Sequence, residues 1–238
     1  MRTIGLIGGM SWESSAAYYR LINQGVRDRL GPLRSARLLL HSLDFGPIEQ
    51  AQRDGRWDDA AAILAAAAQS LQAGGADAWL LCTNTMHRVA PQVQAAVSMP
   101  FIHIADPVGQ AAQQAGWRTV GLLGTAFTME QAFFRGFLAQ QHGLQVLVPA
   151  AAQRAALHRI IYDELCVGVV SAASRQVYLD VIHSLAAQGA QAVILGCTEI
   201  SLLVGPADTP VPLLDTTALH AAAAVDFLLD GPGSGGAA

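Results

Sequence analysis

The chain has 238 residues, 52% of them hydrophobic, which is enough for one large α/β domain or two small ones. Its formal net charge is −4 and no basic cluster stands out, so we expect no nucleic-acid partner. Its apolar stretches fall far short of the roughly 20 residues that a membrane span needs, so we expect no membrane association either.

The first residues form a short apolar run, 3–8, which ends in glycine and predicts a β-strand, not a signal peptide. The expected location is therefore the cytoplasm. Further apolar runs alternate with alanine-rich, helix-like segments, which is typical of parallel strands buried on both faces. These predicted strands are residues 37–43, 77–82, 100–104, 119–124, 144–148, 191–196 and 211–214. Residues 88–95 and 151–167 predict crossover helices, and the Gly-rich end, 231–238, predicts disorder.

A self-comparison indicates two similar α/β halves. Three runs recur in the same order: residues 3–9 at 119–125, residues 71–81 at 185–195 and, more loosely, residues 100–106 at 210–215. We therefore predict a first domain of residues 1–98 with 209–238 and a second of 99–208. If a pseudo-twofold axis relates them, they face each other across a cleft lined by the C-terminal ends of their strands, where α/β sheets bind ligands.

The repeat places Thr83 and Cys197 in equivalent positions, each just beyond a predicted strand. Inversion of a stereocentre needs one group to remove a proton from one face and another to return it to the opposite face. A thiol is a suitable base when backbone amides at a helix start lower its pKa from about 8.5. Asn84, Thr85 and Thr198 add neutral donors in the same turns. We therefore predict Cys197 and Thr83 as the catalytic pair.

The remaining cysteines and the basic residues narrow the chemistry. Cys82, on a predicted strand, and Cys166, in a helix-like segment, are interpreted as free thiols of the core. Cys82 and His87 do not predict a zinc site, because no second pair of ligands is in view, so we expect no metal. All 14 basic residues are arginine. Without lysine the chain cannot hold pyridoxal phosphate as a Schiff base, so we expect no cofactor.

Three motifs together resemble the aspartate/glutamate racemase family, and most closely its broad-specificity amino-acid racemase branch. They are Gly-Gly-Met-Ser-Trp-Glu-Ser (8–14), Cys-Thr-Asn-Thr-Met-His (82–87) and Gly-Cys-Thr-Glu (196–199). The resemblance covers nearly the whole chain and implies two Rossmann-like domains, racemisation independent of pyridoxal phosphate, an active site between the domains and a homodimer. The substrate-binding residues that it implies are Met10, Asn84, Thr85, Thr198 and Glu199. Gln52 and Thr125 are added on their position near the predicted cleft.

Two positions depart from the family pattern. Thr83 stands where the family usually has a cysteine, and a hydroxyl is a far weaker acid than a thiol. Because the resemblance implies that the second-domain thiol attacks the L-enantiomer, we expect an enzyme that deprotonates L-substrates readily and handles D-substrates poorly. Cys166 stands where similar aspartate racemases often carry a lysine for the substrate side chain, which weakens aspartate specificity. Arg53 could compensate, although an exposed surface arginine is the simpler interpretation.

Two alternatives stay open. The first is a decarboxylase of the same superfamily, in which a single second-domain cysteine reprotonates a carbanion. The second is a protein that binds an amino acid without chemistry. A dinucleotide site after the first strand is disfavoured, because the glycines that begin at Gly5 lack the Gly-x-Gly-x-x-Gly spacing.

Overall fold

The computed structural model describes residues 1–230 and shows two units, each built on a parallel β-sheet. Among the described residues, the first unit comprises Met1–Ile104 and residues 220–230, and the second comprises Ala105–Leu219. The predicted fold class, α/β with two parallel sheets, is confirmed. The predicted disorder of residues 231–238 falls outside the described residues. In the described part of the chain, no helix is long and apolar enough to cross a membrane.

The first unit contains three strands and the helices around them. Its elements are β1 (Ile4–Gly8), α1 (Trp12–Leu30), β2 (Leu38–Ser42), α2 (Phe45–Arg53), α3 (Trp57–Ala73), β3 (Ala78–Leu81), the 3-10 turn Thr85–Val89 and α4 (Ala90–Gln94). The sheet order is β2-β1-β3, and every pair is parallel. β1 is buried along its whole length, as expected for a strand that is apolar at every position.

The second unit has a four-stranded sheet of order β5-β4-β6-β7, again all parallel. Its elements are α5 (Ala105–Gln114), β4 (Thr119–Gly124), α6 (Ala126–Glu130), α7 (Ala132–His142), β5 (Gln145–Leu147), α8 (Ala151–Asp163), the 3-10 turn Leu165–Val167, α9 (Ala172–Ala187), β6 (Ala192–Gly196), α10 (Ile200–Leu203) and β7 (Leu213–Asp215). The last helix, α11 (Thr216–Leu229), begins in this unit and enters the first unit at His220.

In the first unit, two local predictions differ from the structure. The run 100–104 is not a strand. The backbone amide of Trp79 donates to the Pro100 carbonyl, and its carbonyl accepts from the Ile102 amide, which makes a single bridge to Phe101. The chain then turns directly into α5. The predicted helix 88–95 is divided into a 3-10 turn and the short α4, because Pro91 in the first turn of α4 has no N–H to continue the preceding turn.

Candidate active site

In the first unit, a tight loop follows β1 and carries Met10. Gly9 has a φ of +92°, and a Cβ there would collide with the Leu43 carbonyl. Its amide donates to the Ser15 hydroxyl at 2.8 Å, which fastens the loop to the first turn of α1. Met10 is consequently buried against the core of α2 and α3. The loop therefore needs both its glycine and its serine.

The turn after β3 separates Cys82 from Thr83. The Cys82 amide donates a hydrogen bond to the Ile7 carbonyl at 2.9 Å, and the Cys82 side chain lies in the core under α1 and α11. Burial raises the pKa of the Cys82 thiol well above its ordinary value, so this cysteine is inert. The interpretation of Cys82 as a core residue is thus in agreement with its burial. Thr83, the next residue, is only half-buried.

His87 holds the turn that carries Thr83. Its Nδ1 lies 2.9 Å from the Thr83 carbonyl, and its Nε2 accepts from the Ile104 amide at 3.1 Å. These partners assign the proton to Nδ1. Burial, with His103 and His220 nearby, lowers the pKa of His87 well below its usual value, so the ring is neutral. Within residues 1–230, no group of three or more His, Cys, Asp or Glu side chains is placed to hold a metal ion.

The predicted binding residues of the first unit lie beyond neighbouring strands. Met10 follows β1, and Asn84 and Thr85 follow β3, so all three are at the same edge of the sheet. Asn84 is buried, and Thr85 is half-buried. Gln52, near the end of α2, is buried and donates to the Met86 sulfur at 2.8 Å, which places it against the same turn. Arg53, in contrast, is exposed and ion-paired with Glu49.

In the second unit, Thr125 and Cys197 follow two paired strands. Gly124 of β4 is in register with Gly196 of β6, so the next residue of each strand lies at one edge of the sheet. The buried Thr125 hydroxyl accepts from the Thr128 amide at 3.4 Å and caps α6. A Cβ at Gly196 would lie 2.8 Å from the Leu123 carbonyl, so the residue before Cys197 must be glycine.

The Cys197 thiol is half-buried and donates a hydrogen bond to Glu199 Oε2 at 2.9 Å. Burial first, and then the Glu199 carboxylate, raise the pKa of Cys197 well above its ordinary value. The Glu199 backbone amide acts in the opposite direction and is outweighed. We expected amides at a helix start to lower this pKa. The structure does not meet that expectation. The helix that follows Cys197, α10, begins only at Ile200 and has four residues.

Glu199, which is predicted to bind the substrate, contacts the proposed base. Its carboxylate is engaged with the thiol two residues earlier, and the half-buried Thr198 lies between them. The spacing of the two side chains in one turn was the available signal for this pair. Ser15 and the backbone contacts of His87 were not predicted from the sequence, and they fix the two loops through the Gly9 amide and the Thr83 carbonyl.

Cys166 is exposed in the 3-10 turn Leu165–Val167, so its interpretation as a core residue is wrong. The predicted helix 151–167 ends at Asp163, and Gly168, with a φ of +78°, closes the 3-10 turn that follows. The side chain is thereby carried to the surface.

Comparisons with known proteins give a consistent result. The family model described as Asp/Glu/Hydantoin racemase matches residues 7–224. A crystal structure from Yersinia pestis, described as a candidate Asp/Glu racemase, is 52% identical, with a TM-score of 0.93 over 97% of this chain and 100% of that one. An aspartate racemase homologue from Pyrococcus horikoshii OT3 is 30% identical, with a TM-score of 0.85 over 96% and 99%. The aspartate racemase of Picrophilus torridus is 18% identical, with a TM-score of 0.74 over 95% and 94%, and shows the shared fold alone.

Proposed function

Because the chain belongs to the Asp/Glu/hydantoin racemase family, we propose that it is an isomerase that racemises acidic amino acids without pyridoxal phosphate. L-Glutamate and L-aspartate are the proposed substrates, in keeping with the descriptions of its relatives. The observation that carries the proposal is the half-buried Cys197 thiol at the C-terminal end of β6, hydrogen-bonded to a carboxylate that can take its proton.

In the proposed reaction, Cys197 removes the α-proton of the L-substrate, and a different proton is delivered to the opposite face from the side of Thr83. The residues proposed to bind the substrate are Met10, Gln52, Asn84, Thr85, Thr125, Thr198 and Glu199. The chain has no lysine, so none of its side chains can form the Schiff base that holds pyridoxal phosphate. Backbone amides and neutral side chains at the strand ends are the donors left to stabilise the carbanion.

A second candidate function rests on the identity of residue 83. With threonine there, the proposed site has a single thiol, Cys197, because Cys82 is buried in the core. One thiol is sufficient to protonate a carbanion left by loss of carbon dioxide. A decarboxylase of a substituted malonate is therefore the alternative, and an amino-acid-binding protein would show no turnover at all.

The test is incubation with L-glutamate or L-aspartate in D₂O, following loss of the α-proton by NMR and the D-enantiomer by chiral chromatography. We expect exchange and D-product with the wild-type protein and a loss of at least about 100-fold in Cys197→Ala, the usual range for removing a proton-transfer group. Cys166→Ala is the matched control, because it removes an exposed thiol and should retain activity. No exchange with either amino acid, together with decarboxylation of a substituted malonate, would establish the alternative.

A further inference from the structure

We propose that Glu199 is a positioning residue that orients the Cys197 thiol and stores its proton during the reaction. This inference rests on the proposed function and deepens it. The carrying observation is the hydrogen bond from Cys197 Sγ to Glu199 Oε2, 2.9 Å long, in which the thiol is the donor. The contact joins the proposed base to an acceptor without an intervening group.

The turn after β6 fixes this contact. The Ile200 amide donates to the Cys197 carbonyl at 3.2 Å, and the Ser201 hydroxyl donates to the Thr198 carbonyl at 2.8 Å. These bonds close the four-residue turn 197–200, in which the thiol and the carboxylate are two positions apart. Glu199 therefore reaches the sulfur from within the turn itself, with no other element needed to deliver it.

Among the described residues, two other titratable groups interact electrostatically with the sulfur, and neither is a cation. Cys166 of the neighbouring 3-10 turn and Tyr178 of α9 are within electrostatic range of Cys197, and both are neutral when protonated. Burial and Glu199 both oppose a resting thiolate. The base therefore rests as a thiol, and it has to lose its proton before it can act.

The proton balance follows from this geometry. In the first step the Sγ–H bond breaks and an Oε2–H bond forms, which leaves a thiolate beside a carboxylic acid. In the second step a sulfur lone pair takes the substrate α-proton, and the electron pair of the Cα–H bond stays on the substrate as a carbanion. The negative charge has then moved from Glu199 through sulfur to the substrate, with no proton gained or lost overall.

A role for Glu199 in substrate binding alone predicts different behaviour. If the carboxylate held the substrate ammonium, its removal would raise KM and leave the thiol unchanged. If the carboxylate orients the thiol and accepts its proton, its removal takes a negative charge and a hydrogen-bond acceptor away from the sulfur. The thiolate then forms more easily, while the route for its proton during turnover is lost. Thiol reactivity and catalysis should therefore change in opposite directions.

The experiment compares Glu199→Gln with wild type in a Cys166→Ser background, measuring alkylation of Cys197 by uncharged iodoacetamide from pH 6 to 10, and racemisation kinetics. We expect Glu199→Gln to alkylate roughly 10-fold faster at pH 7.5, because more of its thiol is ionised. Its kcat should fall at least about 100-fold with little change in KM. Glu199→Asp should partly rescue kcat, since it restores a carboxylate. Glu130→Gln, which neutralises an exposed carboxylate of the same unit, is the matched control and should change neither quantity.

Unchanged or slower alkylation of Glu199→Gln would overturn the proposal, as would a raised KM with an unchanged kcat. If Glu199→Gln does not fold, the same comparison is made with Glu199→Asp, whose shorter side chain lengthens the contact and should also speed alkylation. The alkylation profile does not depend on turnover. If the wild-type protein racemises nothing, the proposed function fails. Faster alkylation of Glu199→Gln would still support an interaction between Glu199 and the Cys197 thiol, and an unchanged alkylation rate would still refute it.

Discussion

Two buried histidines show how single residues fix the loops of the first unit. His220 is fully buried, and its ring nitrogens lie 2.8 Å from the Tyr18 hydroxyl and 2.8 Å from the Ile102 carbonyl. The carbonyl can only accept, so Nε2 carries the proton and Nδ1 accepts from the tyrosine. Neither His220 nor His87 can take a second proton without losing one of its hydrogen bonds.

This arrangement predicts acid lability. Burial lowers the pKa of His220 from 6.5 to about 4, so the folded state binds fewer protons than the unfolded state between these values. The contribution of His220 is complete above pH 6.5 and is lost as pH falls toward 4. At pH 5 the expected loss in the free energy of unfolding is about 2 kcal/mol. Urea unfolding at pH 7 and pH 5 measures it.

The matched pair for this measurement is His220→Gln and His183→Gln. Glutamine at 220 removes the titrating group, so the variant should lose about 2 kcal/mol less than wild type between pH 7 and pH 5. His183 lies on the exposed side of α9, and its replacement should leave the wild-type difference unchanged. An identical pH dependence in His220→Gln and wild type would contradict the assignment.

At the scale of elements, the apolar runs were predictable from the sequence, but not every apolar run forms a strand. β1 and β6 were predicted within a residue or so, because strands buried on both faces are apolar at every position. The run 100–104 is also apolar, but it does not form a strand, because only a single bridge forms between Phe101 and Trp79. The site divides in the same way. The sequence places Cys197 at a strand end, but only the turn geometry shows that Glu199 contacts its thiol and raises its pKa.

β2 predicts how two copies of the chain assemble. It pairs only with β1, so among residues 1–230 its outer edge has no strand partner, and its sequence, Leu-Leu-Leu-His-Ser, lacks the lysine or proline that usually protects an edge. Leu40 is 43% exposed. Two antiparallel copies of β2 would place Arg37, before the strand, near Asp44, after it, in the other copy. We expect a homodimer, with twice the 25.0 kDa of one chain.

Light scattering after size-exclusion chromatography tests this assembly. Leu40→Lys puts a charge on the proposed interface and should give a monomer of 25.0 kDa. Val177→Lys is the matched control, because it places the same charge at an exposed position of α9 in the second unit. A monomeric wild-type protein, or a dimer that survives Leu40→Lys, would show that the β2 edge does not join two copies.

For the whole molecule, the two groups proposed to exchange protons with the substrate are chemically unequal. Cys197 of the second unit is a thiol with a carboxylate partner, whereas Thr83 of the first unit offers only a hydroxyl. Removal of the α-proton from the L-enantiomer should therefore outpace delivery of a proton to the opposite face. The carbanion then often regains a solvent-derived proton from Cys197 itself, so the L-substrate exchanges its α-hydrogen several times for each inversion.

Thr83→Cys should remove this inequality, because a thiol donates a proton far more readily than a hydroxyl. We expect the ratio of α-exchange to inversion of L-glutamate in D₂O to fall from several exchanges toward one exchange per inversion, because delivery of the second proton then keeps pace with removal of the first. The kcat/KM values for the L- and D-enantiomers must rise by the same factor, since the equilibrium constant stays at one. Thr83→Ser, which keeps the hydroxyl, is the matched control and should leave the ratio near the wild-type value. If Thr83→Cys leaves it unchanged, the proton reaches the second face from water or another residue, and the proposed role of position 83 is wrong.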